Sequence, residues 1–194
     1  MLVALALSYA AVADGHHDDI PVTRTESSDR SMQSTVSKVP DYVAGLEAAY
    51  GGPSQAGFGS AVFHESLPDG KDLPQAALSV YRTFVGALLV RSGEQAWMAP
   101  WREVYVRQPG TKPDVIAELR GIADRDAQLS VPMILDNIEG AEAARAALSN
   151  AFDDPSVTEL RVFNLGDGEA MSGLLLASRR GASGEATFLV FLMD

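Results

Sequence analysis

The stretch TELRVFNLGDGEAMSGLLLASRRGASGEATFLVFLM, residues 158–193, decides the fold. It holds three runs rich in Leu, Val and Phe, at about 158–165, 170–179 and 186–193. Apolar runs of this length bounded by glycine read as strands. Asp167-Gly168 separates the first two, and Asp-Gly between strands favours a two-residue type I′ turn. The spacing therefore predicts a three-stranded antiparallel meander. A two-residue loop at Asp167-Gly168 sets Phe163 opposite Ser172 and Val162 opposite Gly173. A second loop at 181–184 sets Arg180 opposite Glu185 and Leu175 opposite Val190.

This register sorts the side chains. One face collects Leu160, Val162, Met171, Gly173, Leu175, Ala177, Phe188, Val190 and Leu192. It is the face expected to meet the helices. The other carries Arg161, Phe163, Ser172, Ser178, Thr187 and Met193 around a greasy centre of Leu174, Leu176, Leu189 and Phe191. Such a centre does not stand bare in water. A helix of the same chain, a ligand in a concave sheet or a second subunit must cover it. A one-residue slip would exchange the two faces, so the pattern itself argues for the register.

Upstream the pattern is mainly helical. Pro40-Asp41 opens a helix with Tyr42, Val43, Leu46 and Ala49 at helical spacing, stopped by Gly51-Gly52-Pro53. Residues 61–64 and 104–106 read as short strands, and 67–72 as a turn. Pro74 starts a helix to about Arg91 whose apolar residues run nearly all round, as in a central core helix. Asp114 precedes a helix carrying Val115, Leu119 and Ile122. Residues 130–135 read as a short buried strand running through Asp136 into a helix from Ile138 to about Phe152. The fold class is α+β: several helices packed on the C-terminal meander in one domain, residues 39–194.

The N-terminus reads as an address. Residues 2–13 form one apolar block, too short to span a bilayer, and end in Ala11-Val12-Ala13, which suits signal-peptidase cleavage. No Lys or Arg precedes the block, which is atypical. Residues 14–38 are too polar to bury surface and read as a flexible acidic tether. Cleavage would expose Asp14-Gly15-His16, whose amine, two backbone amides and imidazole supply four nitrogens in a plane. Cu(II) and Ni(II) favour that set, with His17 adjacent. The bland reading is a solvated linker that contains two histidines.

Charge and composition remove several function classes. The formal charge is −11, and 21 of the 26 acids and 12 of the 15 bases lie in residues 39–194. A surface this acidic repels phosphate backbones, which disfavours nucleic acid. With no cysteine there is no thiol catalysis and no structural disulfide. The chain carries no Walker, G-x-G-x-x-G, H-E-x-x-H or EF-hand pattern.

Candidate residues remain. His64, with Ser60 four residues before it, and Asp136 are the weak catalytic candidates. Trp97 and Trp101, with Arg102 and Tyr105, offer rings and a guanidinium to a flat or carboxylate-bearing ligand, or else cap the core beneath their loop. The expectation is an exported, periplasmic or secreted, non-catalytic module. Its partner would be a small molecule or a protein, bound near those residues and Leu174, Leu176, Leu189 and Phe191. A homodimer is compatible with the same surface. The alternatives are a hydrolase-like enzyme with an acid/His site in a pocket on the sheet, and Cu or Ni binding by the tail.

Overall fold

Three antiparallel strands do occupy the C-terminal stretch: β3 (Val157–Asn164), β4 (Ser172–Arg180) and β5 (Glu185–Met193). They belong to a wider sheet. Strand β1 (Gly59–Ser66) pairs along β5 and β2 (Arg102–Val106) along β3, giving five antiparallel strands in the order β1-β5-β4-β3-β2. The three-stranded expectation is corrected to five, because the two short upstream strands are its edges. This computed structural model describes residues 39–194 apart from 69 and 182. The block 2–13, the tether 14–38 and the set Asp14, Gly15, His16 and His17 lie outside the described residues.

The β4–β5 register is the expected one, with Arg180 opposite Glu185 and Leu175 opposite Val190. The β3–β4 register is not. Val162 faces Leu176 and Phe163 faces Leu175, three residues away from the expected partners. The pairing runs on through Leu165 N to Gly173 O (3.0 Å) and Asp167 N to Met171 O (3.1 Å), so the tip is Gly168-Glu169-Ala170. Asp167 does not sit in the turn but organises it. Its carboxylate accepts the backbone N–H groups of Glu169 (2.9 Å) and Met171 (2.8 Å), which hold it below the ordinary aspartate range. An odd shift exchanges faces. Leu160 and Val162 therefore join Leu174, Leu176, Leu189 and Phe191, while Arg161 and Phe163 join Leu175, Ala177, Phe188 and Val190.

We call these the even and odd faces, after the β4 residues that they carry. The even face lies under α1 (Asp41–Tyr50), α5 (Val115–Arg120), α6 (Arg125–Leu135) and α7 (Ala141–Phe152), with Val43, Leu46, Leu119, Ile134, Leu148 and Phe152 in its core. Leu174, Leu176 and Leu189 have no exposed surface and Phe191 is 7% exposed, so the greasy centre is covered by helices of the same chain. The odd face lies under α2 (Leu73–Val85), α3 (Ala87–Ser92) and α4 (Glu94–Met98).

Two helix readings need correction. The expected helix 74–91 breaks at Gly86 (φ 48°), because the Phe84 carbonyl accepts from Gly57 N (3.0 Å) in the preceding loop instead of continuing the helix. Past the break Val90 is 88% exposed, so the segment is not a buried core helix throughout. The expected strand 130–135 is the second half of α6. Asp124 caps that helix by accepting from Ala127 N (3.0 Å), and Ala127, Val131, Ile134 and Leu135 form its buried stripe around an internal Pro132. Asp136 therefore follows a helix rather than capping the next one, whose N-cap is Gly140 in the left-handed region (φ 66°). Among the described residues no helix is long and apolar enough to cross a membrane.

Candidate functional site

Five strands at about 4.8 Å spacing span roughly 20 Å, and one helix with its side chains covers about 10 Å. Four helices suffice for the even face. On the odd face α2 lies over β4 and β5, and aromatic rings fill the β3 side. Trp101 stacks between Tyr81 (5.6 Å between ring centroids) and Phe163 (4.6 Å), and Tyr81 Oη donates to the Trp97 carbonyl (3.1 Å). Among the described residues the β1 side has no comparable cover. Phe63 there is half-buried and Glu65 exposed, although both share a face with buried Ala61.

A cleft of about 530 Å³ opens at this corner, lined by Glu65, Leu67, Lys71, Asp72, Gln75 and Ser79. Its strand wall is the end of β1. Its helix wall is the first two turns of α2, where Gln75 and Ser79 are exposed. Buried Leu67 forms the floor. The third wall is the connection from β1 to α2, and several contacts anchor it. Leu67 N donates to Gly184 O (2.6 Å), and Lys71 N donates to Pro68 O (3.1 Å) in a turn. The Arg179 guanidinium donates to the Lys71 carbonyl. Arg179 is the last member of a charge ladder across the uncovered row of the odd face. Glu103 pairs with Arg161 (2.6 Å), Arg161 with Glu159 (2.6 Å), and Glu159 with Arg179 (3.6 Å). A rigid wall lowers the ordering cost of binding.

The expected site residues are distributed otherwise. Trp97 is buried in the odd-face core and Trp101 is held in the stack just described, so both rings serve packing. Arg102 is engaged by Asp124 (2.9 and 2.8 Å) and Asp126 (2.7 Å) at the start of α6. Those bonds hold the Asp124 carboxyl below its ordinary range and push Arg102 up. Half-buried Tyr105 packs against the even-face core, and burial, aided by Glu118, raises its hydroxyl. Leu174, Leu176, Leu189 and Phe191 are under helices.

The weak catalytic candidates do not meet. His64 Nδ1 lies 3.2 Å from Thr187 Oγ1, Nε2 lies 3.9 Å from Glu185, and the ring meets Tyr42 edge-on (6.0 Å, 86°). Ser60 donates to the Tyr50 carbonyl (2.7 Å), four residues and about 13 Å along the strand from His64. Asp136 is clamped by Arg120 (3.1 Å) and Arg145 (3.0 Å) and shares no partner with His64.

A neighbouring polar cluster is structural in the same sense. Buried Arg180 stacks on the Tyr42 ring (3.8 Å) and ties β4 to the end of α7 through Ala151 O (2.8 Å) and to the turn before β3 through Ser156 and Asp154. No group of three or more His, Asp or Glu side chains suited to a metal occurs among the described residues.

Sequence reading missed the cleft residues. One signal was present: β1 places Glu65 on the same face as buried Ala61, an acid where a fully covered strand would carry an apolar residue. No protein-family model, curated protein or solved structure matches this chain.

Proposed function

We propose that this protein is an exported, non-catalytic module that holds a small polar ligand in the β1–α2 cleft. The observation that carries the reading is the cleft itself. It is concave, its connecting wall is pinned at both ends, and it presents two acids, a lysine, an amide and a hydroxyl over an apolar floor. Concave sites with a few convergent polar groups are the usual form of small-ligand sites.

The disposition of charge elsewhere supports a binding rather than a catalytic role. Arg82, Arg102, Arg107, Arg120, Arg145, Arg161, Arg179 and Arg180 each lie within 4 Å of a carboxylate, so many acids are neutralised by structural pairs. Export rests on the apolar block 2–13 and the Ala11-Val12-Ala13 end.

Two measurements test the two halves. Mass spectrometry of protein recovered from the extracytoplasmic fraction should give Asp14 as the first residue. Retention of residues 2–13 on protein in the cytoplasm refutes export. For the cleft, thermal shift against a panel of small polar molecules should give a stabilising ligand, worth about 2.7 kcal/mol at a hundred times its Kd. Ser79→Trp, which fills the cleft from an exposed helix position, should abolish that shift while leaving the unliganded Tm in place. An unchanged shift in Ser79→Trp puts the ligand elsewhere.

A further inference from the structure

Resting on the reading of the cleft as a ligand site, we infer that its ligand is a small zwitterion of the α-amino-acid class, carrying a free ammonium and a free carboxylate. Lys71 and Glu65 both line the cleft, on different walls, and no ion pair joins them. Neither makes an ion pair with any other described residue, in a chain where eight arginines are committed to carboxylates. Arg179, the nearest guanidinium to this wall, is occupied by Glu159 and the Lys71 carbonyl, and does not neutralise Glu65.

A molecule with both charges satisfies both walls at once. A monoanion leaves Glu65 facing it without a counter-charge, and a monocation leaves Lys71 with only its chain neighbour Asp72 as a carboxylate nearby. Asp72 is a second acid lining the cleft, which disfavours simple anions further. Gln75 and Ser79 supply neutral donors and acceptors, and Leu67 offers apolar surface to an aliphatic side chain.

The test is calorimetric titration of the full chain with leucine, N-acetyl-leucine, leucine methyl ester and glucose. Leucine should bind, and each capped form should bind roughly fivefold or more weakly, the scale of one solvent-exposed charge pair. Lys71→Met should abolish the preference for leucine over its methyl ester while keeping the preference over N-acetyl-leucine. Glu65→Gln should do the reverse. Equal affinity for leucine and both capped forms overturns the zwitterion assignment. Binding of glucose without leucine overturns it too, but leaves the cleft as a ligand site. No binding of any of the four removes both.

Discussion

The two faces of the sheet are closed by different means. The even face is sealed by four helices, and its apolar centre is buried. The odd face has α2, a broken helical segment and an aromatic stack, leaving one corner open over β1. Both faces have a fully apolar middle, so hydrophobic content does not separate them. They differ in how many helices the chain supplies per strand. A sheet edge beyond the reach of its covering helix must be solvated, and here the ladder Glu103–Arg161–Glu159–Arg179 and the polar cleft do that.

The comparison breaks if the two interiors are unequal. Phe188→Ala on the odd face and Leu176→Ala on the even face should each cost about 2–5 kcal/mol in chemical denaturation, since both side chains are fully buried. A cost below about 1 kcal/mol for Leu176→Ala would mean that the helices do not close the even face. Arg107→Met should come next, at about 3 kcal/mol. Its side chain, only 7% exposed, binds Glu118 of α5 (2.7 Å), Asp153 (3.3 Å) and the Phe152 carbonyl (2.6 Å), fastening the end of edge strand β2 to the even-face helices. A neutral outcome would show that β2 docks without that clamp.

Acid sharpens the same contrast at the start of α6. The Arg102 hydrogen bonds hold Asp124 below the ordinary 3.8. Its stabilising contribution is therefore present above that value and is lost as pH falls through its lower folded value. Asp124→Asn should be less stable at neutral pH, and its denaturation midpoint should fall less between about pH 4 and pH 2 than that of the parent. Parallel curves would refute the role.

Smaller effects come from the surface. Gly45 lies inside α1 with nothing within 4 Å of an added Cβ, so Gly45→Ala should stabilise by about 0.5–1 kcal/mol. Glu65→Gln and Lys71→Met should change the unliganded Tm by the least, within about 0.5 kcal/mol, because both side chains are exposed. Larger losses would mark the open corner as part of the stability core.

What the sequence displayed was local. The alternation in 170–193 was enough for β4, β5 and their register, and Asp114, Val115 and Leu119 for α5. Where a distant group intervenes, local pattern misleads. The β3–β4 register depends on the Asp167 carboxylate and on Asn164, whose amide donates to Gly166 O (2.6 Å) and Pro100 O (3.2 Å). The α2 break depends on Gly57, and residues 130–135 of α6 looked like a strand because Val131, Met133, Ile134 and Leu135 make a short apolar run around Pro132. Trp97 and Trp101 were visible as rings near a loop, but only the sheet shows that Phe163 and Tyr81 sandwich Trp101. The cleft was the least legible. Its lining residues all fall within 65–79, but the connection that walls it is held by Arg179 and Gly184, more than 100 residues later in the chain.

The β1–β5 pairing has a consequence for how the molecule is made. During synthesis β2, β3 and β4 can associate as they emerge, but among the described strands β1 pairs with β5 alone. The earliest strand must therefore wait for the last, closing a long loop before it gains any ladder bonds, which is slow. Until residues 185–193 arrive, the β1 edge and the Leu175–Ala177 stretch of β4 are bare, and a nascent chain stalled at that length would be the species a chaperone captures or a protease removes.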